Sequence, residues 1–147
     1  MSDTTQEAVA WDEQALAEIA SVKPRFIQKH EWQLTTREEQ DKVILLVRMR
    51  HKRHPERIHV LKLLYGPGFP RERPRESFVD PNNYENEGLQ FWIDDGNNAF
   101  KRNHNPAVIC LEGTWGFHHV LHKERNPLVA SLNKFLLEAQ QCFDNTP

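Results

Sequence analysis

Cys110 is the residue of this chain best suited to covalent chemistry. It stands at the end of a short apolar run that directly follows the polar residues 103–106. A thiolate forms and reacts where positive or hydrogen-bonding groups assist it and where solvent has access. Free cysteine is also among the residue types most often buried in cores. The flanks of Cys110 therefore leave two interpretations open, a core residue and a nucleophile, and the rest of the chain has to decide between them.

Three polar side chains just before the cysteine could assist it. Asn103, Asn105 or a backbone N–H near Cys110 could stabilise the oxyanion that forms during acyl exchange. His104 is the best local candidate for orienting such a donor or for accepting a proton. Each asparagine could instead be a turn residue that satisfies its own backbone, and His104 could be a surface loop histidine.

The residues after the cysteine offer further candidates. Glu112 could bind an incoming amine or cap the loop, and Trp115 is expected to form a wall of the site. His118 and His122 stand four residues apart, which on a helix places both on one face, a spacing known from metal sites. No glutamate lies between them as in zinc peptidases and no third ligand is evident, so no metal site is predicted.

The composition excludes several broad classes of protein. The 147 residues carry a formal net charge of -2, which gives no general attraction to nucleic acid or to anionic membranes. Two cysteines are too few for a disulfide framework, and no apolar run approaches the length that a membrane span needs. The N-terminus is polar and acidic and lacks a signal segment. We therefore expect a cytoplasmic protein with reduced thiols, made of a flexible tail at residues 1–10 and a single domain at residues 11–147.

Helical and strand-like patterns alternate along the first half of the chain. Apolar residues recur at helical spacing from Trp11 and predict an amphipathic helix that stops near Pro24. Residues 25–35 partly alternate and are interpreted as a strand, and residues 37–41 as a polar connection.

Residues 42–52 and 57–65 predict an antiparallel hairpin, because a proline-containing turn separates two strand-like segments. Five basic residues gather near its tip: Arg48, Arg50, Lys52, Arg53 and Arg57. We interpret them as a solvated hairpin end, with a protein-docking surface or a nucleic-acid patch as alternatives.

Residues 65–74 contain three prolines and two glycines, which predict a rigid, extended surface loop. This loop is expected to carry the aromatic rings of Tyr65 and Phe69. Two short strands are expected after it, at residues 78–79 and 89–93. Two turns are expected as well, at residues 80–83 and 94–98.

A final helix is predicted to begin at Asn126, with Pro127 at its first position. Its apolar face would comprise Leu128, Leu132, Phe135, Leu136, Ala139 and Phe143. Cys142 lies beside that face and is expected to be structural. The order of a helix, about four strands in a meander, an irregular segment and a helix predicts an α+β fold, with helices packed on an antiparallel sheet.

Four features in this order resemble the ubiquitin-conjugating enzyme (UBC-like) family, over residues 11–143. Residues 65–74 look like the family's aromatic and proline-rich loop after the third strand. Residues 109–112, Ile-Cys-Leu-Glu, look like its active-site signature, and Trp115 resembles its downstream tryptophan. Residues 126–143 look like its cross-sheet helix. The family's histidine-proline-asparagine motif is replaced by residues 100–102, with residues 103–106 nearer to the cysteine at about half the usual spacing, and the family's last two helices are missing. These departures resemble the bacterial stand-alone branch found in antiphage operons of the CBASS type (cyclic-oligonucleotide-based signalling).

The resemblance implies a UBC-like fold and an acyl carrier or transferase that forms a thioester between Cys110 and a protein C-terminus. The implied partner is a cGAS-like nucleotidyltransferase, and activation of its C-terminus would come from another protein. Tyr65, Phe69, Glu112 and Trp115 are then the expected binding residues. No cofactor, metal, membrane or nucleic acid is expected.

Two alternatives remain. In the first, the chain is a catalytically silent UBC-like module that buries Cys110 and docks a partner through residues 65–74. In the second, it is a metal-dependent or Cys-His hydrolase.

Overall fold

The computed structural model describes residues 10–94 and 99–147. Its longer helices are α1 (Trp11–Ala20), α2 (Pro24–His30) and α3 (Leu132–Asp144). Its strands are β1 (Gln33–Glu39), β2 (Lys42–Arg50), β3 (Ile58–Tyr65), β4 (Arg75–Val79), β5 (Phe100–Lys101) and β6 (Val108–Ile109). Short 3-10 helices lie at Leu89–Phe91 and Pro127–Val129, and a π-helical turn at Phe117–Leu121. Of the predicted N-terminal tail, only Ala10 lies within the described residues.

The first four strands form one antiparallel sheet in sequence order, and β5 and β6 form a separate two-stranded sheet. In the larger sheet Leu45 lies opposite Leu63, and Leu61 lies opposite Phe78. All four side chains are buried, because alternate residues of each strand point to the face that the helices cover. The predicted α+β class is confirmed, with an N-terminal helix, a four-stranded antiparallel sheet and a C-terminal helix.

The core lies between this sheet and the helices. Helix α3 buries five of the six residues predicted for its apolar face: Leu132, Phe135, Leu136, Ala139 and Phe143. Removing one leucine of this kind from water stabilises the fold by about 1.5–3 kcal/mol. Polar groups inside the core are paired, since the indole N–H of Trp32 donates a 2.8 Å hydrogen bond to Gln140 Oε1.

Four of the five basic residues near the tip of the β2–β3 hairpin, the arginines, bind main-chain carbonyls. Arg48 donates to Pro81 and Arg50 to Pro55. Arg53 donates to the carbonyls of Asp144 and Thr146, each at 2.8 Å, and Arg57 donates to that of Pro147. These guanidinium groups therefore tie the hairpin to neighbouring chain, including the residues that follow α3.

The strand predicted at residues 25–35 is wrong for its first part. Pro24 occupies the first position of α2, where a missing N–H costs no hydrogen bond. Glu31 ends that helix in the left-handed region, at φ 57°. Strand β1 begins only at Gln33 and continues through most of the predicted polar connection at residues 37–41. Its polar sequence suits an edge strand, which pairs on one side only.

The segment at residues 65–74 forms compact turns, so the predicted extended conformation is wrong, although residues 67, 68, 71 and 72 are exposed. Gly66 accepts a 3.0 Å hydrogen bond from the N–H of Phe69, and Gly68 accepts one of 2.9 Å from Glu72. Residues 89–93 also differ from expectation, because a 3-10 helix replaces the predicted strand.

The predicted start of the last helix is five residues too early. Asn126 does cap a turn, accepting the N–H of Leu128 at 2.9 Å, but that turn is a single 3-10 helix. The chain then extends at Ala130, and Ser131 caps α3 by accepting the N–H of Lys134. Leu128 is therefore 52% exposed and lies outside the core.

Two smaller observations complete the fold. The turn predicted at residues 80–83 is confirmed, since Asp80 Oδ1 accepts the N–H of Asn82 at 2.8 Å. The turn predicted at residues 94–98 lies almost entirely outside the described residues. Among the helices of the described chain, none combines the length and apolar character required to cross a bilayer.

Candidate active site

Cys110 directly follows β6, at an edge of the core. Its neighbour Ile109 lies opposite Phe100 in the small sheet, and both are fully buried. The N–H of Cys110 donates a 2.7 Å hydrogen bond to the carbonyl of Ala99. The side chain of Cys110 is partly exposed, so the thiol has the solvent access that a nucleophile needs.

A buried carboxylate on β4 fixes both ends of the loop that starts at Cys110. Glu76 accepts the N–H of Ile109 at 2.9 Å and the N–H of Gly116 at 3.0 Å. Burial raises the pKa of Glu76 to about 6, although these two N–H donors and the charge of Arg75 favour its ionised form. The backbone on either side of Cys110 is thus bound to the central sheet.

Thr114 and Gly113 shape the inside of the same loop. The hydroxyl of Thr114 donates to the carbonyl of Ile109 at 3.1 Å and accepts the N–H of Phe117 at 3.2 Å. Gly113 has φ 119°, a conformation that side chains with a Cβ rarely adopt. The loop is therefore closed by internal hydrogen bonds that do not involve the thiol.

A buried network joins this loop to α1 and to the turns at residues 65–74. The guanidinium of Arg73 donates to the carbonyl of Gly113 and to the carboxylate of Glu18, each at 3.0 Å. The hydroxyl of Tyr65 donates to the same carboxylate at 2.7 Å. Tyr65 is 0% exposed and Phe69 is 6% exposed. The expectation that these rings lie at the surface is therefore wrong, and their predicted role in binding a partner gains no support. Both rings pack in the core. They are linked to the loop after Cys110 through Arg73, which lies over the ring of Phe69 and shares the carboxylate of Glu18 with Tyr65.

The imidazole of His122 lies beside the thiol of Cys110, although the two residues are twelve positions apart in the chain. Nε2 of His122 is 3.8 Å from Sγ of Cys110, and Nδ1 of His122 is 3.5 Å from Oε1 of Glu124. The preceding π-helical turn sets this position, because the N–H of His122 donates to the carbonyl of Phe117 at 2.7 Å. The ring of Phe117 lies against the imidazole, with 4.7 Å between the ring centroids. A thiol, an imidazole and a carboxylate in this order can serve as nucleophile, base and orienting group.

The two neighbouring histidines are structural. Nε2 of His118 accepts the N–H of Gly113 at 3.1 Å, so its Nδ1 carries the proton and donates to the carbonyl of Arg125. Burial lowers the pKa of His118, which suits this neutral form. Nε2 of His119 accepts the N–H of Arg73 at 3.1 Å. Within the described residues, no group of three or more His, Cys, Asp or Glu side chains is arranged to hold a metal ion.

The polar residues before the cysteine lie apart from the pair of Cys110 and His122. Asn103, His104 and Asn105 are exposed, and Nδ1 of His104 donates to the carbonyl of Pro106 at 2.9 Å. In the part of the chain that the structure describes, no hydrogen bond joins any of the three to the thiol. Their predicted roles as oxyanion donors and proton acceptor therefore gain no support from the geometry.

The backbone after the cysteine offers other donors. Within residues 10–94 and 99–147, the N–H groups of Leu111 and Glu112 have no hydrogen-bond partner. The N–H groups of Cys110, Gly113 and Gly116 are all bonded within the protein. An oxyanion next to the thiol would therefore find its main-chain donors at Leu111 and Glu112.

Glu112 and Trp115 have defined partners of their own. The carboxylate of Glu112 lies 2.9 Å from Nη2 of Arg125 and 3.6 Å from Nζ of Lys134. The guanidinium of Arg75 lies over the ring of Trp115, with 4.1 Å between Cζ of Arg75 and the centroid of the ring. The Glu112 carboxylate is paired with two cations of its own chain, and these contacts support neither the capping role nor the amine-binding role predicted for it.

The sequence points to Cys110 but not to the groups that surround it. Glu76 is one charged residue in a short strand, and nothing in its spacing marks it as buried. His122 stands out in the sequence only for its spacing from His118. The usable signal is the combination of His122 and Glu124 on a short segment following the cysteine, since a nucleophile and its base need only meet in space.

A concave surface lies at the opposite end of the sheet. It is formed by the end of α2, the β2–β3 turn and the last turns of α3. It shares no lining residue with the segment at residues 110–124. No protein-family model, curated protein or solved structure matches the chain.

Proposed function

We propose that this protein is an acyl carrier and transferase of the ubiquitin-conjugating type, in which Cys110 forms a thioester with the C-terminus of a partner protein. The observation that carries the proposal is the partly exposed thiol of Cys110, which lies beside an imidazole. The backbone around the thiol is fixed to the central sheet through Glu76. The resemblance of residues 109–112 to the family's active-site signature supports the same assignment.

The chemistry consists of two acyl exchanges. In the first, Sγ of Cys110 forms a bond to the carbonyl carbon of an activated C-terminus, and the bond to the activating phosphate or thiol breaks. The thiol proton passes to a base. In the second, an amine replaces Cys110 on that carbon and the thiol is released. Both exchanges pass through a tetrahedral oxyanion, for which the N–H groups of Leu111 and Glu112 are the available main-chain donors.

The partner that we propose is a cGAS-like nucleotidyltransferase encoded in a bacterial antiphage operon, with the reaction taking place in the cytoplasm. Its support is the resemblance of the chain to the stand-alone conjugating-enzyme-like proteins of such operons. The acyl donor would reach Cys110 as an acyl phosphate (a mixed anhydride) or as a thioester, made by a separate activating protein.

A Cys-His hydrolase is the second candidate, and the contact between Cys110 and His122 favours it. The same pair that forms a thioester can also release it to water. The silent binding module has less support, because it requires a buried Cys110 whereas this residue is partly exposed, and because the rings of Tyr65 and Phe69 are buried.

The proposal is tested with a peptide that carries the partner's C-terminal sequence as a thioester of a small thiol. We expect the wild-type protein to gain the mass of the peptide, and dithiothreitol to remove it. The adduct should be lost in Cys110→Ala and retained in Cys142→Ala. Cys142 is also partly exposed, so Cys142→Ala is the matched control. An adduct on Cys142 alone, or none on either cysteine, contradicts the proposal. Rapid release of free peptide acid without a lasting adduct would favour the hydrolase instead.

A further inference from the structure

We propose that His122 is the acid–base catalyst of this site and that Glu124 is its positioning residue. The inference deepens the proposed function, and rests on it for the identity of the thioester. It rests on the structure alone for the pairing of the thiol with the imidazole.

The imidazole of His122 lies between the thiol of Cys110 and the carboxylate of Glu124, with one ring nitrogen facing each. Nε2 lies 3.8 Å from the thiol of Cys110, and Nδ1 lies 3.5 Å from the carboxylate of Glu124. Both distances are longer than a closed hydrogen bond, as catalytic contacts often are before substrate binds. The side chains of His122 and Glu124 are 43% and 71% exposed, so both can be reached from solvent.

Two other histidines, His51 and His118, use their ring nitrogens to bind main-chain groups. Nδ1 of His51 accepts the N–H groups of Arg53 and His54, and its Nε2 donates to the carbonyl of Thr146 at 3.0 Å. His118 likewise uses both nitrogens on main-chain groups. In the described part of the chain, the ring nitrogens of His122 contact only a thiol and a carboxylate. That pattern distinguishes His122 from its neighbours.

The backbone holds His122 where the reaction would need it. Its N–H is bonded to Phe117, its carbonyl accepts the N–H of Arg125 at 3.0 Å, and the ring of Phe117 covers one side of the imidazole. The imidazole can therefore exchange protons without leaving its place, while Glu124 selects the tautomer with the proton on Nδ1.

Nε2 of His122 can carry the proton that moves in each of the two acyl exchanges. During loading, Nε2 takes the proton of the Cys110 thiol as the S–C bond forms. The bond from the acyl carbon to the leaving thiolate then breaks, and Nε2 gives the proton to that thiolate, so the imidazole is neutral again before discharge. During discharge, an incoming primary amine forms a C–N bond, the C–S bond breaks, and the amine proton passes through Nε2 to the departing sulfur. A primary amine, such as a lysine side chain, is an acceptor that this chemistry can serve, because it must lose a proton to complete the transfer.

The charged groups around His122 set the background for any pH response. Besides Glu124 they are the neighbouring Lys123 and Arg125, and Glu112, which pairs with Arg125 and with Lys134. The variants used as tests leave the other charged groups unchanged.

The first arm of the experiment measures alkylation and needs neither a partner nor a thioester. The folded protein is treated with iodoacetamide between pH 5.5 and 9, and the rates at Cys110 and Cys142 are followed by peptide mass spectrometry. In His122→Asn we expect the rate at Cys110 to fall roughly tenfold at pH 6.5 and its pH profile to move toward that of Cys142, because the thiolate loses its proton acceptor. His104→Asn, which changes an exposed histidine without contact to the thiol, should leave the profile unchanged.

The second arm measures discharge of the preformed peptide thioester to ethanolamine. General base catalysis contributes on the order of 100- to 10,000-fold, so we expect His122→Asn to slow discharge by at least roughly 100-fold, and Glu124→Gln to slow it by less. Added imidazole should restore part of the rate to His122→Gly, a rescue that a merely structural histidine would not show. Thermal unfolding of each variant verifies that it is folded.

The outcomes separate the two proposals. A His122→Asn profile for Cys110 that superimposes on the wild-type profile, in a folded variant, overturns the acid–base role. A shifted profile in a protein that accepts no peptide thioester keeps the Cys110–His122 pair and rejects the proposed function. Equal discharge rates in wild type and His122→Asn would also overturn the inference.

Discussion

Among single residues near the site, Glu76 combines a buried charge with control of the backbone at Cys110. Burial raises its pKa to about 6, which is above the value of about 4.5 that it takes when the chain is unfolded. Between these two values the folded protein binds more protons than the unfolded chain. The contribution of Glu76 to stability is therefore fully present below about pH 4.5 and is lost as the pH rises through 6.

The Glu76→Gln substitution tests this sign. A pKa difference of about 1.5 units corresponds to roughly 2 kcal/mol. We expect the pH-dependent loss of unfolding free energy between pH 4 and pH 7 to be smaller by about that amount in the variant than in the wild type. At every pH the amide should also cost about 1–3 kcal/mol, because one of the two N–H donors, on Ile109 or Gly116, loses its acceptor.

Urea unfolding at four pH values between 4 and 7.5 provides the measurement. Glu72→Gln is the control, since Glu72 is an exposed carboxylate in the turns before β4. Parallel pH curves for wild type and Glu76→Gln would show that the buried carboxylate has no raised pKa.

At the scale of elements, the start of α3 shows where local sequence signals reach their limit. Asn126 and Pro127 form a genuine helix start, but the helix that they begin is one turn of 3-10 helix. Ser131 is the cap that continues into α3, and it is the burial of Leu132, Phe135 and Leu136 that extends the helix.

The two caps should differ in energy. We expect Ser131→Ala to lower the free energy of unfolding by about 1 kcal/mol, the usual cost of losing a side-chain cap. Asn126→Ala should change it by less than about 0.5 kcal/mol, because the turn that Asn126 caps is short and exposed. Thermal or urea unfolding of the two variants side by side measures the difference. A larger loss in Asn126→Ala than in Ser131→Ala would place the structural start of the helix at Asn126 after all.

The predictability of the elements follows from how each one is determined. The β2–β3 hairpin could be predicted, because its strands are long, apolar and separated by a clear turn. Residues 25–30 could not, since Phe26 and Ile27 sit between polar residues in a pattern that fits a short helix as well as a strand. Tertiary pairing with β2 also decides that the polar residues 37–39 are strand, and no local pattern reveals it.

At the scale of the whole molecule, Arg73 connects parts of the chain that are far apart in sequence. Its guanidinium joins the carboxylate of Glu18 on α1 to the carbonyl of Gly113 in the loop after Cys110. It is almost completely buried, and it lies over the ring of Phe69 at 5.1 Å. A buried ion pair gives little net stability, but removing one partner leaves the other charge without compensation.

Arg73→Ala is therefore expected to lower the free energy of unfolding by about 3–5 kcal/mol, because Glu18 would remain as a partly buried and uncompensated charge. Arg71→Ala removes the same type of side chain two residues away, at an exposed position, and should change it by less than about 0.5 kcal/mol. Urea unfolding at pH 7 gives both values. Equal effects of the two substitutions would mean that the network contributes nothing specific to the fold.

The site could be predicted only in part, for a related reason. The position of Cys110 after the proline-rich segment favours it as the candidate nucleophile, and the structure leaves this residue partly exposed. His122, which contacts the thiol, follows the π-helical turn. Glu76 and Arg73, which bind the backbone of the Cys110 loop, come from β4 and from the turns before it. Their meeting depends on three-dimensional packing, whereas the local candidates Asn103, His104 and Asn105 are near the thiol in sequence and do not contact it.

The location of the thiol relative to the β2–β3 hairpin has a practical consequence for capturing partners. Glu76, which holds the Cys110 loop, lies opposite Leu63 near one end of β3, whereas residues 51–57 form the turn at the other end. Lys52 in that turn is exposed. A tether attached there would display Cys110 toward solution, so that a cell extract flowed over the immobilised protein could load the thiol and be released afterwards with a reducing agent.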